Sequence, residues 1–258
     1  MENFGEHKLV GRSPAFLDVL ELTKRFSGCD ATVLVQGETG TGKELVARAI
    51  HYLGARRNFP FIPVNCGALP DTLVESELFG HARGAFTDAR DARRGLIAEA
   101  QGGTLFLDEI EVLTPKAQVA LLRFLQDLEY RPVGGSVVRN ANVRIVAASN
   151  ANLGTLQSDG HFRKDLFFRL NVLSVDLPPL RERQSDVVFL AEIFLKRLAQ
   201  QYCRPPKSLH LDAVSRLLSY AWPGNVRELE NLIHREFLMT DGPMIHVHCL
   251  ASLDARQN

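Results

Sequence analysis

The 258-residue sequence has no excess of either charge, few cysteines and no long apolar run. Lysine plus arginine number 30, as do aspartate plus glutamate, so the formal net charge is zero. That balance argues against a surface given over wholly to nucleic acid, although it leaves room for a local basic face. The four cysteines, Cys29, Cys66, Cys203 and Cys249, are scattered and form no C-x-x-C pair. Such spacing excludes a dense disulfide framework and fits reduced thiols in a cytoplasm. No run approaches the ~18 apolar residues of a membrane span, and the start, MENFGEHKLVGR, lacks the apolar stretch of a secretory leader. A cytoplasmic protein without a membrane partner is expected. Internal repeats and low-complexity tracts are also missing. The segment HVHC (His246, His248, Cys249) has no further ligand cluster nearby in sequence, and it reads as a frayed C-terminal segment rather than a metal site.

What is present is an ordinary globular composition, 45% hydrophobic and 23% charged. The length suits one large domain, or one large and one small, with ample core. Four short apolar runs stand out: ATVLVQG (31–37), PFIPVNC (60–66), GTLFLDE (103–109) and VRIVAASN (143–150). Each is nearly continuous rather than alternating, as a strand buried on both faces should be. A fifth candidate strand is LSVDLPPL (173–180). Helical patterns fill the gaps at 42–54, 73–80 and 115–130. In the last, Val119, Leu122 and Leu125 recur at helical spacing, and Pro115 suits a first turn. Alternating strands and helices imply an α/β core with a parallel sheet. After Pro178-Pro179 the pattern turns helical. Ser185 is a candidate N-cap there, and Asp186 favours the helix dipole. The expected division is an α/β core over 1–180, a small all-α domain over 181–242 and a linker stub over 243–258.

GETGTGKE comprises Gly37, Glu38, Thr39, Gly40, Thr41, Gly42, Lys43 and Glu44. It follows an expected strand and opens an expected helix, which is the context that G-x-x-x-x-G-K requires. Backbone N–H groups can turn inward around phosphate oxygens there, and the helix dipole adds to them. Lys43 brings a point charge for the β- and γ-phosphates. A chance glycine-rich turn is the competing account. After the lysine a Ser or Thr usually offers its hydroxyl to Mg²⁺. Glu44 stands there instead and is not assigned as a metal ligand. TLFLDE then delivers Asp108 and Glu109 to the carboxyl end of a buried strand, where open α/β sheets bind ligands. Asp108 suits Mg²⁺ and Glu109 suits the activation of an attacking water. The alternative is a pair of carboxylates capping a helix.

These residues resemble the AAA+ central domain of bacterial enhancer-binding proteins, the ATPase activators of sigma-54 RNA polymerase. The resemblance runs from LVGRSPAF to WPGNVRELENLI and includes ESELFGH, GAFT, GGTLFLDE, FRKDLFFRLNV and LPPLRER. It implies a three-layer αβα P-loop core with a small α-helical lid. Glu after the P-loop lysine is usual in that family. The resemblance also implies roles for residues that the P-loop pattern does not reach. Asn65 is similar to the switch residue that holds Glu109 back, and Asn150 to the sensor of the γ-phosphate. Ser149 replaces the usual Thr before that Asn. Arg163 and Arg169 resemble arginine fingers acting on a neighbouring subunit's ATP, which implies a homo-oligomer, expected as a hexameric ring. Arg227 resembles the sensor that ties the lid to the nucleotide. For any one of these arginines a surface salt bridge is the plain alternative.

The stretch GAFTDAR (84–90) sets one aromatic, Phe86, among small and charged residues, as an exposed loop would. Phe86 could simply fold back onto the body. The resemblance instead implies that Phe86 and Thr87 touch sigma-54. Asp88 stands where the family has Gly, which tolerates positive φ more readily. Two functions follow: an ATP-hydrolysing activator of sigma-54 polymerase, or an ATP-binding regulator whose altered loop no longer engages sigma-54. No helix-turn-helix pattern follows the last helix, so promoter DNA would be contacted through a domain not present in this chain.

Overall fold

The computed structural model describes residues 9–70, 73–86 and 89–247, which divide into two units. The first holds residues 21–37 and 43–176, and the second holds residues 9–20, 38–42 and 177–247. Helix α1 (Pro14–Ser27) contributes to both.

The first unit continues with β1 (Val33–Gln36), α2 (Lys43–Tyr52), β2 (Phe61–Asn65) and a 3-10 turn at Cys66–Ala68. Next come α3 (Val74–Phe79), the two-residue strands β3 (Gly80–His81) and β4 (Arg93–Arg94), α4 (Leu96–Glu99) and β5 (Thr104–Asp108). A 3-10 turn at Ile110–Val112 leads to α5 (Pro115–Asp127), then to short strands β6 (Glu129–Tyr130) and β7 (Arg139–Asn140). The unit ends with β8 (Arg144–Ser149), α6 (Leu153–Ser158), α7 (Lys164–Leu170) and β9 (Leu173–Asp176).

Five strands form one parallel sheet in the order β2-β5-β8-β1-β9. Parallel neighbours need crossover connections, which the helices supply. Leu105, Phe106 and Leu107 of β5 and Val146, Ala147 and Ala148 of β8 are at most 1% exposed, which is why their sequence reads as unbroken apolar runs. The topology brings the strand ends to one edge. Asn65 lies opposite Asp108 in the ladder, and Gln36 lies opposite Ser149. Helix α5 starts as expected, with Thr114 accepting from Ala117 N and Pro115 in the first turn. Of the expected stripe Val119, Leu122, Leu125, only Leu125 is fully buried; Val119 and Leu122 are half-buried, and Ala117, Leu121 and Phe124 join Leu125 in the core. Helical period admits either stripe, and the bulk of Phe124 selects the one that fills the core.

The second unit contains a 3-10 turn at Leu180–Glu182, α8 (Gln184–Gln201), β10 (Ser208–Leu209), α9 (Leu211–Ser219), α10 (Asn225–Met239) and β11 (Met244–Ile245). Trp222, Leu229, Ile233 and Phe237 are in its core. Three sequence expectations change here. The division between units falls after Asp176 rather than at 180, because Leu180 is buried among the helices. Helix α8 starts at Gln184, so Ser185 lies inside its first turn and does not cap it. Asp186 is fully buried and accepts from Arg12 N (2.6 Å), Ser13 N (2.9 Å), Ser13 Oγ (2.8 Å) and Arg183 Nε (2.9 Å). Those bonds draw the segment from residue 9 into this unit. Finally, the segment expected to be a linker from 243 begins as structure. β11 pairs in parallel with β10, and Ile245 and Val247 are completely buried. Two strands of two residues carry no period from which sequence could foresee them.

Candidate nucleotide site

In the first unit the P-loop lysine is nearly buried, 6% exposed at the start of α2. Its Nζ donates to Gly37 O at 2.8 Å and to Asn150 Oδ1 at 2.5 Å. Asn150 uses its other amide atom too. Its Nδ2 donates to Glu109 Oε1 at 3.4 Å, so one side chain spans the P-loop cation and the expected base. The Asn150 backbone N–H donates to Glu111 Oε1 at 3.1 Å. Glu111 was not foreseen from the sequence, and its other oxygen is buried without a hydrogen-bond partner. Glu109 sits at φ 55°, ψ 46°, a left-handed conformation that costs a non-glycine residue about 1–3 kcal/mol and tends to cluster at functional sites. It holds the position before a 3-10 turn but makes no side-chain cap bond. Asp108 Oδ1 accepts from the Glu109 N–H at 3.0 Å. Burial pushes the Asp108 carboxyl above its ordinary pKa. The Glu109 N–H and Lys43 work against that, while the Glu109 and Glu111 charges add to it.

Asn65 ends β2, and its Oδ1 accepts from Gly67 N (2.8 Å) and Ala68 N (3.1 Å), capping the 3-10 turn. A Cβ on Gly67 would fall 2.6 Å from Glu109 Oε2 and 3.2 Å from Asn65 Oδ1, so both side chains crowd the same glycine. The amide that holds Glu109 here is nevertheless that of Asn150. Glu44 is exposed and pairs with Arg48 one turn along α2, at 2.7 Å.

In the second unit the middle of the P-loop is held by the helices. Arg181 grips Glu38 through two bonds of 2.8 and 2.7 Å, and Asn225 Nδ2 donates to Glu38 Oε2 (3.1 Å) and Thr39 O (3.0 Å). Arg181, then Asn225, keeps the Glu38 carboxyl below its ordinary pKa. Thr41 Oγ1 donates to Glu38 O at 2.7 Å, and Arg227 N donates to Gly40 O at 3.3 Å. Gly40 has φ 81°, and a Cβ there would strike Gly224 O at 2.3 Å, so only glycine fits. Arg227 lines a cavity of about 450 Å³ with Thr39, Trp222, Gly224, Asn231 and Arg235. The motifs LPPLRER and WPGNVREL flagged this region, but Arg181 and Asn225 as holders of Glu38 were not anticipated.

Arg163 and Arg169 are both exposed. Arg163 forms a double bond pattern with Asp165 (3.0 and 2.7 Å), and Arg169 donates to the α5 carbonyls of Leu125 and Gln126 at 2.9 Å each. Neither is hydrogen-bonded to Lys43, Asp108 or Glu109. Phe86 is 38% exposed and meets His81 edge-on, with ring centroids 5.0 Å apart. Gly84 N donates to Ala89 O, Ala89 N to Phe86 O, and Ala82 N to Val133 O. Thr87 and Asp88 lie outside the described residues, as do His248 and Cys249.

Residues 9–176 match the sigma-54 interaction domain, and residues 181–257 match the AAA+ ATPase lid domain. The DNA-binding transcriptional regulator NtrC of Azospirillum brasilense is 53% identical over 88% of this chain and 47% of its own length. The DNA-binding transcriptional activator HyfR of Escherichia coli is 46% identical over the whole of this chain and 38% of its own. The chain thus spans less than half the length of these curated relatives. Among solved structures, NtrX from Brucella abortus in complex with ATP superposes with a TM-score of 0.85 at 36% identity, over 91% of this chain and 52% of that one. The crystal structure of the same protein with ADP gives 0.83. Among the described residues no helix is long and apolar enough to cross a membrane. The chain belongs to the sigma-54-dependent transcriptional activator family of AAA+ P-loop proteins.

Proposed function

We propose that this chain binds and hydrolyses ATP and uses the energy to remodel sigma-54 RNA polymerase holoenzyme. The observation that carries the proposal is the Lys43–Asn150–Glu109 chain of bonds, at the end of the sheet where Asp108 also emerges. A γ-phosphate that took Lys43 would compete with Asn150 for the same ammonium, and so would change what holds Glu109. That gives nucleotide state a direct route to the base. A carboxylate beside phosphate oxygens suits Mg²⁺, a hard ion, with Asp108 as its protein ligand and a partly buried carboxyl to be neutralised. When bound, the ion neutralises charge on the β- and γ-phosphates. Glu109 polarises water, and Lys43 and the P-loop backbone, Gly37 to Glu44, hold the phosphates. Asn150 positions Glu109, Asn65 holds it back in another nucleotide state, and Arg227 reports nucleotide to the helices.

Arg163 and Arg169 complete the site of a neighbouring subunit in a homo-oligomeric ring, taken to be a hexamer, in the cytoplasm. An arginine supplied in trans is worth about 10³–10⁵ in rate. Phe86 and Thr87 contact sigma-54, and promoter DNA is bound by a part of the protein outside these 258 residues. One observation favours a second function, that of an ATP-binding regulator that does not activate. It is Asp88, which replaces a small flexible residue with a charge in the partner-facing loop. The test traps the protein with ADP–metal fluoride and measures sigma-54 binding. Phe86→Ala should abolish the contact and spare hydrolysis. If neither the natural chain nor Asp88→Gly binds sigma-54 in that state, the activator function is wrong and the regulatory one stands.

A further inference from the structure

The sequence leaves HVHC without a neighbour that could share an ion, but the fold supplies one. Parallel pairing sets Leu209 of β10 opposite Ile245 of β11, so the residues that follow, His210 and His246, emerge side by side. Their ring centroids are 4.4 Å apart, with 35° between the planes. His210 N donates to Ile245 O at 2.9 Å, which fixes the two backbones where the imidazoles begin. His210 is also the N-cap of α9, and it brings the first turn of that helix close. Its Nδ1 lies 3.3 Å from both the backbone N and the Oδ2 of Asp212. One donor atom each from His210, Asp212 and His246 falls within 4.8 Å of the others. All three residues belong to the second unit, and none is among those assigned to nucleotide.

Ligands held at about 2.0–2.2 Å around a tetrahedral ion stand roughly 3.4 Å apart. His210 Nδ1 and Asp212 Oδ2 already have that separation, and the Nδ1 lone pair that accepts from the Asp212 N–H would turn to the ion. His246 is only half-buried, so a change of side-chain torsion between staggered wells closes the remaining gap. The carboxylate of Asp212 also offsets the positive end of α9, which would otherwise repel a cation. Two imidazoles with one carboxylate select Zn²⁺, Co²⁺ or Ni²⁺ over Mg²⁺ and Ca²⁺, which favour all-oxygen sites.

We infer that His210, Asp212 and His246 form a binding site for a first-row divalent ion of the zinc class, which ties β11 to the start of α9 and leaves a further position for water or another donor. The experiment uses the 258-residue chain without nucleotide, titrated with Co²⁺ and then with competing Zn²⁺. One equivalent should bind, with the visible absorption of a His/carboxylate cobalt site, and Zn²⁺ should displace it and raise the melting temperature. His210→Asn, which keeps an N-cap acceptor, and Asp212→Asn should each weaken binding by about tenfold or more, as even losing a supporting residue does at metal sites. His246→Gln should do the same without moving the metal-free melting temperature. His248→Gln with Cys249→Ser should leave binding unchanged. The inference fails if no ion binds stoichiometrically. It also fails if the His248/Cys249 double variant abolishes binding while His210→Asn and Asp212→Asn retain it, because the ion would then belong to the tail.

Discussion

At the scale of single residues the proposed function rests on a few hydrogen bonds. Glu109→Gln should keep ATP binding and lose hydrolysis, because Lys43 and Asp108 are untouched while the attacking water is no longer polarised. Lys43→Ala should lose binding itself. Equilibrium nucleotide binding set beside phosphate release separates the two, and a Glu109→Gln protein that turned over at the natural rate would remove Glu109 from its role. Glu111 is subtler. It holds the backbone of Asn150 and so the side chain between Lys43 and Glu109. Glu111→Ala should lower kcat roughly tenfold, about 1.4 kcal/mol, the loss expected for one buried hydrogen bond. Glu111→Gln keeps an acceptor and should stay within about threefold. Equal damage from both substitutions would show that charge, not the bond to Asn150, is what matters. The P-loop and the Asp108-Glu109 pair were legible in sequence because their chemistry demands fixed spacing after a strand. Glu111 was not, since a carboxylate two residues beyond Glu109 looks like any solvated one until its buried oxygen is seen.

At the scale of elements, strands and helices of the first unit were legible where burial left a period or an unbroken apolar run. What sequence concealed were the joins. The Glu38–Arg181 pair bridges 143 residues and Arg12–Asp186 bridges 174, and separations of that size leave no local pattern. The β10–β11 pair was hidden for the same reason. Asp186 offers a test of such a join. Burial alone would raise its pKa, but the Arg12 N–H, the Ser13 hydroxyl and Arg183 outweigh burial and hold it below the ordinary carboxylate value. A depressed folded pKa means stability present above the unfolded value, about 3.9, and lost as pH falls through it toward the folded value. Asp186→Asn leaves the Arg183 guanidinium, 1% exposed, without its charge partner. It should cost about 3–5 kcal/mol at neutral pH. The gap between the variant and the natural chain should narrow steadily below about pH 4. Denaturant unfolding at several pH values checks this. A gap that stayed constant down to pH 2 would mean that the carboxylate charge contributes nothing.

At the scale of the whole molecule the central claim is that one chain holds only part of an ATPase. Lys43, Asp108, Glu109 and Asn150 share one end of the sheet, whereas Arg163 is spent on Asp165 and Arg169 on helix carbonyls. In a lone chain those arginines have only structural partners, and their exposed position suits a second copy. Activity per chain should therefore rise with protein concentration. The most direct measurement mixes two inactive proteins. Arg169→Ala keeps the base and lacks the arginine; Glu109→Gln keeps the arginine and lacks the base. Together they should recover a clear fraction of natural turnover, because some subunit junctions then pair an intact base with an intact arginine. A mixture no more active than its two components, alongside a natural protein whose activity per chain does not change with concentration, would contradict the account and leave a monomeric ATPase in its place.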